Sequence, residues 1–351
     1  MNIIISCAGL GNRFKERGFK TPKHLLKIND KTLIELAIES LNIEGKYYFI
    51  IRKDNEIEDN TELINILKKV KPDCEIIEIN YVTEGPASTC YLVKDIICHE
   101  NELIITNCDQ VLEYDSNRFL NQTRNSNLDC SVLTYSSIDK KNSFIRLNNN
   151  GKAEEIKEKV VISNTALVGV HYFKKTKYFI ETYEEIFKEN IRAENGEFYL
   201  STICNQLIQN KYKVGHIPLL ENEKYYSTGT PNCYFKYLKE KGFLNIQISD
   251  INEMTRGWLI GDFEPSILRT KDFEVGYLNH KKGELWPVHY HAHMIEINVL
   301  IKGKMILNDI EINENQVFVI HKNDIACPIF VEDCFILCIK VPSIIGDKVI
   351  I

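Results

Sequence analysis

Ile3, Ile4 and Ile5 form a continuous apolar run near the start of the chain, the pattern of a strand buried on both faces of a parallel sheet. The run ends at Ala8-Gly9-Leu10-Gly11, where two glycines allow a tight turn. Between Thr32 and Leu41, apolar residues fall at Leu33, Ile34, Leu36, Ala37 and Leu41, a helical spacing. Lys46 to Ile51 predicts a second apolar strand, Glu62 to Val70 a helix and Cys74 to Tyr81 another strand. The pattern breaks over Val82 to Thr89 and then predicts a helix running towards Ile97. Glu102 to Asn107 reads as a strand ending at Cys108-Asp109-Gln110, and Cys233 to Lys241 as a closing helix stopped by Gly242. Strands alternating with helices imply βαβ units and a mainly parallel sheet, with ligands at the C-terminal ends of its strands. Beyond about Ile251 the chain changes to short strands separated by turn residues, an all-β pattern. The expected division is an α/β domain over residues 1–245 and a β domain over 251–351.

Composition narrows the picture. A chain of 351 residues has room for two domains, and 44% hydrophobic with 26% charged residues is a globular composition. A net charge of −6 with dispersed Lys and Arg argues against bulk nucleic-acid binding. No apolar run approaches the roughly 20 residues that span a bilayer. The opening isoleucines are too few for a signal-peptide core, so neither membrane nor export is expected and the expected location is the cytoplasm. The 11 cysteines include no Cys-x-x-Cys pair, and Cys7, Cys108 and Cys130 read as reduced core thiols.

The glycine turn carries the first candidate chemistry. A strand leading into Gly9 and Gly11 aims backbone N–H groups at one spot and suits a phosphate. Arg13 adds a planar guanidinium fork, and Lys23, behind Pro22, a point-like cation. The order Ala8-Gly9-x-Gly11-x-Arg13-Phe14, a gap, then Pro22-Lys23-x-Leu25 resembles the opening of the sugar-phosphate nucleotidyltransferases. That resemblance covers about residues 1–240 and implies a Rossmann-like, GT-A-like fold. It places Ala8, Gly9, Gly11 and Asn12 on the nucleotide, and Arg13 and Lys23 on its phosphates. Asp109, just past a strand, would hold Mg²⁺. Glu84-Gly85-Pro86-Ala87-Ser88 resembles the base-binding turn; with Glu84 in place of Gln it tilts the donor towards CTP over UTP, since a carboxylate accepts from the cytosine amine. Capping of the following helix is the other reading of Glu84. Ile156 to Val160 and Ser163 to Phe173 resemble the acceptor-binding strand pair, so Glu158, Lys159 and Glu197 would grip a small phosphorylated acceptor. Plain surface charge remains the other reading of the first two, and helix N-terminal charge of the third. Ser227 stands where the family often has a second metal-binding Asp.

The β region has its own motif, Gly283-x5-His289-x-His291-x4-Glu296-x6-Gly303, which resembles the first motif of the cupins. Residues two apart on a strand share a face, so His289 and His291 can share a metal, joined by Glu296. The implied ion is zinc or a transition metal. Ala326 or Cys327 occupies the place of the second motif's His, and His293 or Cys327 is a substitute ligand. The resemblance implies a barrel and a homodimer. Together the two resemblances imply transfer of a nucleoside monophosphate from a nucleoside triphosphate to a small phosphate, for activated precursors of surface polysaccharide. Two alternatives stay open, a nucleotide-sugar glycosyltransferase and a non-catalytic ligand-binding sensor.

Overall fold

In the computed structural model, which describes residues 1–53 and 59–351, Ile3, Ile4 and Ile5 are wholly buried. Their strand is one of nine in a single sheet, β1 (Asn2–Cys7), β2 (Lys46–Arg52), β3 (Glu75–Ile79), β4 (Leu103–Asn107), β5 (Cys130–Ser136), β6 (Ser143–Leu147), β7 (Ala153–Glu158), β8 (Thr165–Phe173) and β9 (Val214–Pro218). The order is β7-β6-β8-β4-β1-β2-β3, with β5 between β8 and β9. β1 pairs in parallel with both β2 and β4, and β2 with β3. Alternation across the pleat explains the unbroken apolar run. Ile4 packs on one face with Phe179 and Ile203, whereas Ile3 and Ile5 pack on the other with Ile34, Ile38 and Phe119.

The helix over Leu33–Leu41 begins as its sequence suggests. Thr32 accepts from the Glu35 N–H while Glu35 accepts from the Thr32 N–H, a reciprocal cap. Two other expectations need correction. The helix expected to reach Ile97 covers only Pro86–Tyr91; beyond it, successive i+3 turns at Leu92, Lys94 and Ile96 keep Val93 and Ile97 in the core. The strands bearing Glu158 and Thr165 do not pair with each other either. β6 lies between them, hydrogen-bonded along β7 and touching β8 at Ala166 and Phe144. The sheet is thus parallel through its centre, with an antiparallel extension in β5 to β8.

The chain divides into two units, Met1–Asn245 and Ile246–Ile351. The second is β-rich. Trp258–Ile260, Glu274–His280, Cys334–Val341, Ile295–Lys302 and Val317–Ile320 form an antiparallel sheet in that order. Ile310–Asn313, Lys304–Leu307 and Pro328–Phe330 form a second, and His289–His291 pairs with Lys348–Ile350. Among the described residues, no helix is long and apolar enough to cross a membrane, and all 11 cysteines are free thiols.

Two buried histidines give the first unit a pH dependence. Burial pushes His171 down to about 4, partly offset by a backbone hydrogen bond with Ile105. Burial and the neighbouring Lys23 charge push His24 to about 4 as well. The unfolded chain protonates both near the ordinary value of about 6.5, so the unfolded state binds more protons between these limits. Their stabilising contribution is therefore complete above that ordinary value and is lost as pH falls towards the folded pKa, by roughly 3 kcal/mol for each histidine. The urea midpoint should fall as the pH is lowered from neutrality to about 4. A His171→Gln variant should show a shallower decline; an identical decline would rule out His171 as a source.

Candidate functional site

The site is built where β1 and β4 end side by side. After Cys7 the chain turns through the glycines, and Gly11, at φ +67°, opens a five-residue helix Asn12–Glu16. Phe14 faces inward against Phe19 and Tyr234 and anchors that turn, leaving Asn12 and Arg13 exposed. Arg52, buried at the end of β2, donates from Nε to the Ala8 carbonyl at 3.1 Å and holds the loop from below.

Pro22 leads into a short turn of helix from which Lys23 reaches Asp109, with Nζ 2.6 Å from Oδ2. Burial disfavours both charges, but their mutual attraction and hydrogen bond outweigh it. The Lys23 ammonium is held well above its ordinary pKa, and Asp109, with Arg13 adding its charge, is held below the usual carboxylate range. Both stay ionised at neutral pH.

A second loop closes on the same carboxylate. Ser227 pairs with Gln110 in a two-stranded ribbon, and the Thr228 N–H donates to the Asp109 carbonyl at 2.9 Å. A Cβ at position 229 would lie 2.8 Å from Asp109 Oδ2, so glycine is what lets this loop approach. Thr228 is fully buried, and among the described residues its Oγ1 has no hydrogen-bond partner. The ionised Asp109 carboxylate is a hard oxygen donor of the kind Mg²⁺ takes.

The turn around Glu84 is joined to the segment carrying Glu197. Phe198 N–H donates to the Glu84 carbonyl at 2.9 Å, and Ala87 N–H to the Phe198 carbonyl at 3.0 Å. Gly85, at φ +136°, is needed because a Cβ there would sit 2.5 Å from the Phe198 carbonyl oxygen. Glu84 does not cap the following helix; its Oε2 lies 2.5 Å from Arg192 Nη2, and Arg192 in turn lies 4.1 Å over the Phe198 ring. Ser88 is buried in the first turn of that helix.

Glu158, Lys159 and Glu197 meet in one network. Glu158 accepts hydrogen bonds from Ser143 and Ser201 and lies 3.8 Å from Lys159 Nζ. Lys159 Nζ is 2.8 Å from Tyr199 Oη, which donates to Glu197 Oε2 at 2.5 Å. Tyr199, Arg192 and Arg52 are the participants that the sequence reading missed. Tyr199 lies two residues beyond Glu197, and Arg52 ends an apolar strand with an incongruous charge, so each left a faint signal. Arg192 has none that distinguishes it from the charged residues around it.

In the second unit His289 and His291 are buried on one short strand, with ring centroids 5.5 Å apart. Glu296 Oε2 lies 3.3 Å from His291 Nε2 and 3.5 Å from Lys340 Nζ. Although burial opposes it, these neighbours and Asn298 hold the Glu296 carboxyl at about 2. Asp347 takes the other side, 3.5 Å from His291 Nδ1 and 2.7 Å from His293 Nδ1. Ala326 pairs with His289 only through the backbone, and Cys327 is exposed. Among the described residues, no group of three or more His, Cys, Asp and Glu side chains is arranged to hold a metal ion. His289 and His291 thus share one short strand with Glu296 beside His291, and the ammonium of Lys340 lies on one side of that carboxylate.

Comparison with known proteins supplies the family. A nucleoside-diphosphate-sugar pyrophosphorylase from Vibrio cholerae is 22% identical, with a TM-score of 0.59 over 68% of this chain and 99% of that one. The inositol-1-phosphate CTP transferase from T. maritima is 13% identical, with a TM-score of 0.52 over 70% of this chain and 98% of that one. A UDP-glucose pyrophosphorylase complexed with UDP-glucose is 17% identical, with a TM-score of 0.53 over 69% and 98%. At these identities the likeness is one of fold. No protein of curated function matches the chain. The nucleotidyl transferase profile, however, matches residues 2–241, the stretch that carries the glycine turn, Lys23 and Asp109, and the chain belongs to that family.

Proposed function

We propose that the first unit transfers a nucleoside monophosphate from a nucleoside triphosphate to the phosphate of a small acceptor, a sugar phosphate or similar compound. The observation that carries this reading is the Lys23–Asp109 pair, 2.6 Å apart beside the glycine turn. An acceptor phosphate oxygen attacks the α-phosphorus, the bond from that phosphorus to the bridging oxygen breaks, and pyrophosphate leaves. The acceptor is already ionised at neutral pH, so no protein nucleophile is required; the protein positions two anions and offsets their charge. Backbone N–H groups of residues 8 to 12 and the Arg13 guanidinium would hold the β- and γ-phosphates. Lys23 would turn part of its charge from Asp109 to the α-phosphate as the nucleotide enters. Asp109 would hold Mg²⁺, which supplies charge neutralisation on the phosphates. Lys159, positioned by Glu158 and Tyr199, would offset the acceptor phosphate, with Glu197 beside it.

CTP is the donor we favour over UTP. With Glu84 Oε2 paired to Arg192, a contact to the cytosine amine falls to the other carboxylate oxygen. We read the second unit as a cupin-like barrel without the metal of that family. The proposed product class is an activated precursor of surface polysaccharide, made in the cytoplasm. Ser227, a hydroxyl where relatives often place an acid, favours a second reading, a non-catalytic sensor.

The test is pyrophosphate release with Mg²⁺ and each of the four triphosphates against pooled sugar and polyol phosphates. Release is expected with CTP. Release confined to another triphosphate would keep the transferase and replace the base assignment, whereas silence with every triphosphate would favour the sensor.

A further inference from the structure

The second unit encloses a cavity of about 810 Å³, within the usual range for small-molecule sites. Its walls include Trp258 and Trp286, the only two tryptophans of the chain, with Met305 and Phe318 between polar groups such as Asn298. Three cations line it, Arg256, Lys340 and Lys348. Lys348 Nζ lies 4.4 Å over the Trp286 ring, and Lys340 Nζ lies 4.9 Å over Trp258. Aromatic faces therefore hold both ammonium groups in place without neutralising them. Arg256 adopts φ +54°, and the adjoining Gly257 has no room for a Cβ against the Tyr277 carbonyl. Such a backbone conformation costs energy for a side-chain-bearing residue and fixes where the guanidinium starts.

The acids of the wall already have partners, and the only cavity cation among those partners is Lys340. Glu284 accepts from the Lys281 N–H at 3.0 Å and faces His280 at 3.3 Å. Glu296 is shared among His291, Asn298 and Lys340. Among the described residues, neither Lys348 nor Arg256 has an ion pair or a side-chain hydrogen bond; the one close partner of Lys348 is the Trp286 ring. Lys340 and Lys348 are part-buried and Arg256 stands exposed at the rim, and a part-buried ammonium without a carboxylate of its own, as at Lys348, is costly unless an anion meets it. The same excess disfavours a bound metal cation.

We infer that this cavity is a binding site for a small hydroxylated ring bearing a phosphate or carboxylate, whose anionic group meets Lys348 and Arg256. The aromatic and apolar wall packs the ring, and Asn298 and its polar neighbours face the hydroxyls. Phosphate and carboxylate share the chemistry that the cations read.

Because both tryptophans line the cavity and none lies in residues 1–245, intrinsic tryptophan fluorescence of the full chain reports this site separately from the transferase site. Titrations with glucose 1-phosphate, glucuronate and uncharged glucose separate the two anion sources from the bare sugar. A saturable change is expected with at least one charged sugar and none with glucose at equal concentration. Lys348→Met should weaken that binding about 10-fold or more, the loss typical of one charge-assisted contact, with an unchanged circular dichroism spectrum. Arg256→Gln, at an exposed residue, gives a second reading if Lys348→Met does not fold. An equal response to glucose, no response to either charged sugar, or unaltered affinity in the folded variants would overturn the inference.

Discussion

Replacing Lys23 with alanine is expected to lower turnover by about 100- to 1,000-fold, the usual cost of removing one preorganised charge from a transition state. The ammonium stands 2.6 Å from Asp109 and is only 17% exposed, so water cannot take its place at comparable strength. The fold should survive, because Lys23 sits on a short turn outside the sheet and its loss leaves no cavity in the apolar clusters. Without it, the Asp109 carboxyl should rise towards the ordinary range. Lys23→Arg should restore the charge but only part of the rate, since a planar fork does not fit a site shaped for a point charge. Pyrophosphate release, read alongside near-ultraviolet circular dichroism, checks this; full activity in folded Lys23→Ala would remove Lys23 from the mechanism.

Asp109→Ala should have the other large effect, and on two properties at once. Activity should fall by about 1,000-fold if Asp109 holds Mg²⁺ as proposed, because that oxygen and the partner that orients Lys23 are then both gone. Stability should also fall, by about 1–2 kcal/mol, because an uncompensated and mostly buried ammonium remains; the figure is below that of a fully buried pair because Asp109 is 26% exposed. The double variant Lys23→Ala with Asp109→Ala should recover most of that stability and none of the activity. Urea unfolding of all four proteins closes the cycle. Additive stability losses would mean that the two charges do not interact as the geometry implies.

These residues also mark how far the chain can be read unaided. The apolar run at Ile3 to Ile5, the reciprocal cap of Thr32 and Glu35, and the turn at Gly9 and Gly11 are local patterns whose causes lie within a few residues. The short extent of the helix after Gly85 was not readable, because turns and helix bury Val93 and Ile97 equally well. The place of β6 between β7 and β8 was hidden too, since periodicity reports which face of a strand is buried and not which strand it joins. In the second unit the spacing of His289, His291 and Glu296 is that of a metal motif, but it did not show that Lys340 lies beside Glu296, or that Asp347, in the turn before Lys348, lies beside His291.

The sequence by itself determined the alternation of strands and helices, the change to β structure past residue 250, and the residue types available for phosphate chemistry. Side-chain period and turn chemistry depend on near neighbours, so they are written in order along the chain. Only the tertiary structure decided which of those residues meet. Lys23 and Asp109 are 86 positions apart and touch because β1 and β4 are adjacent in the sheet. Arg192 reaches Glu84 across 108 positions, and the two tryptophans of the chain share one cavity with Lys340 and Lys348. Contacts of that kind arise from strand order and packing, which the free energy of the whole fold selects and no local pattern encodes.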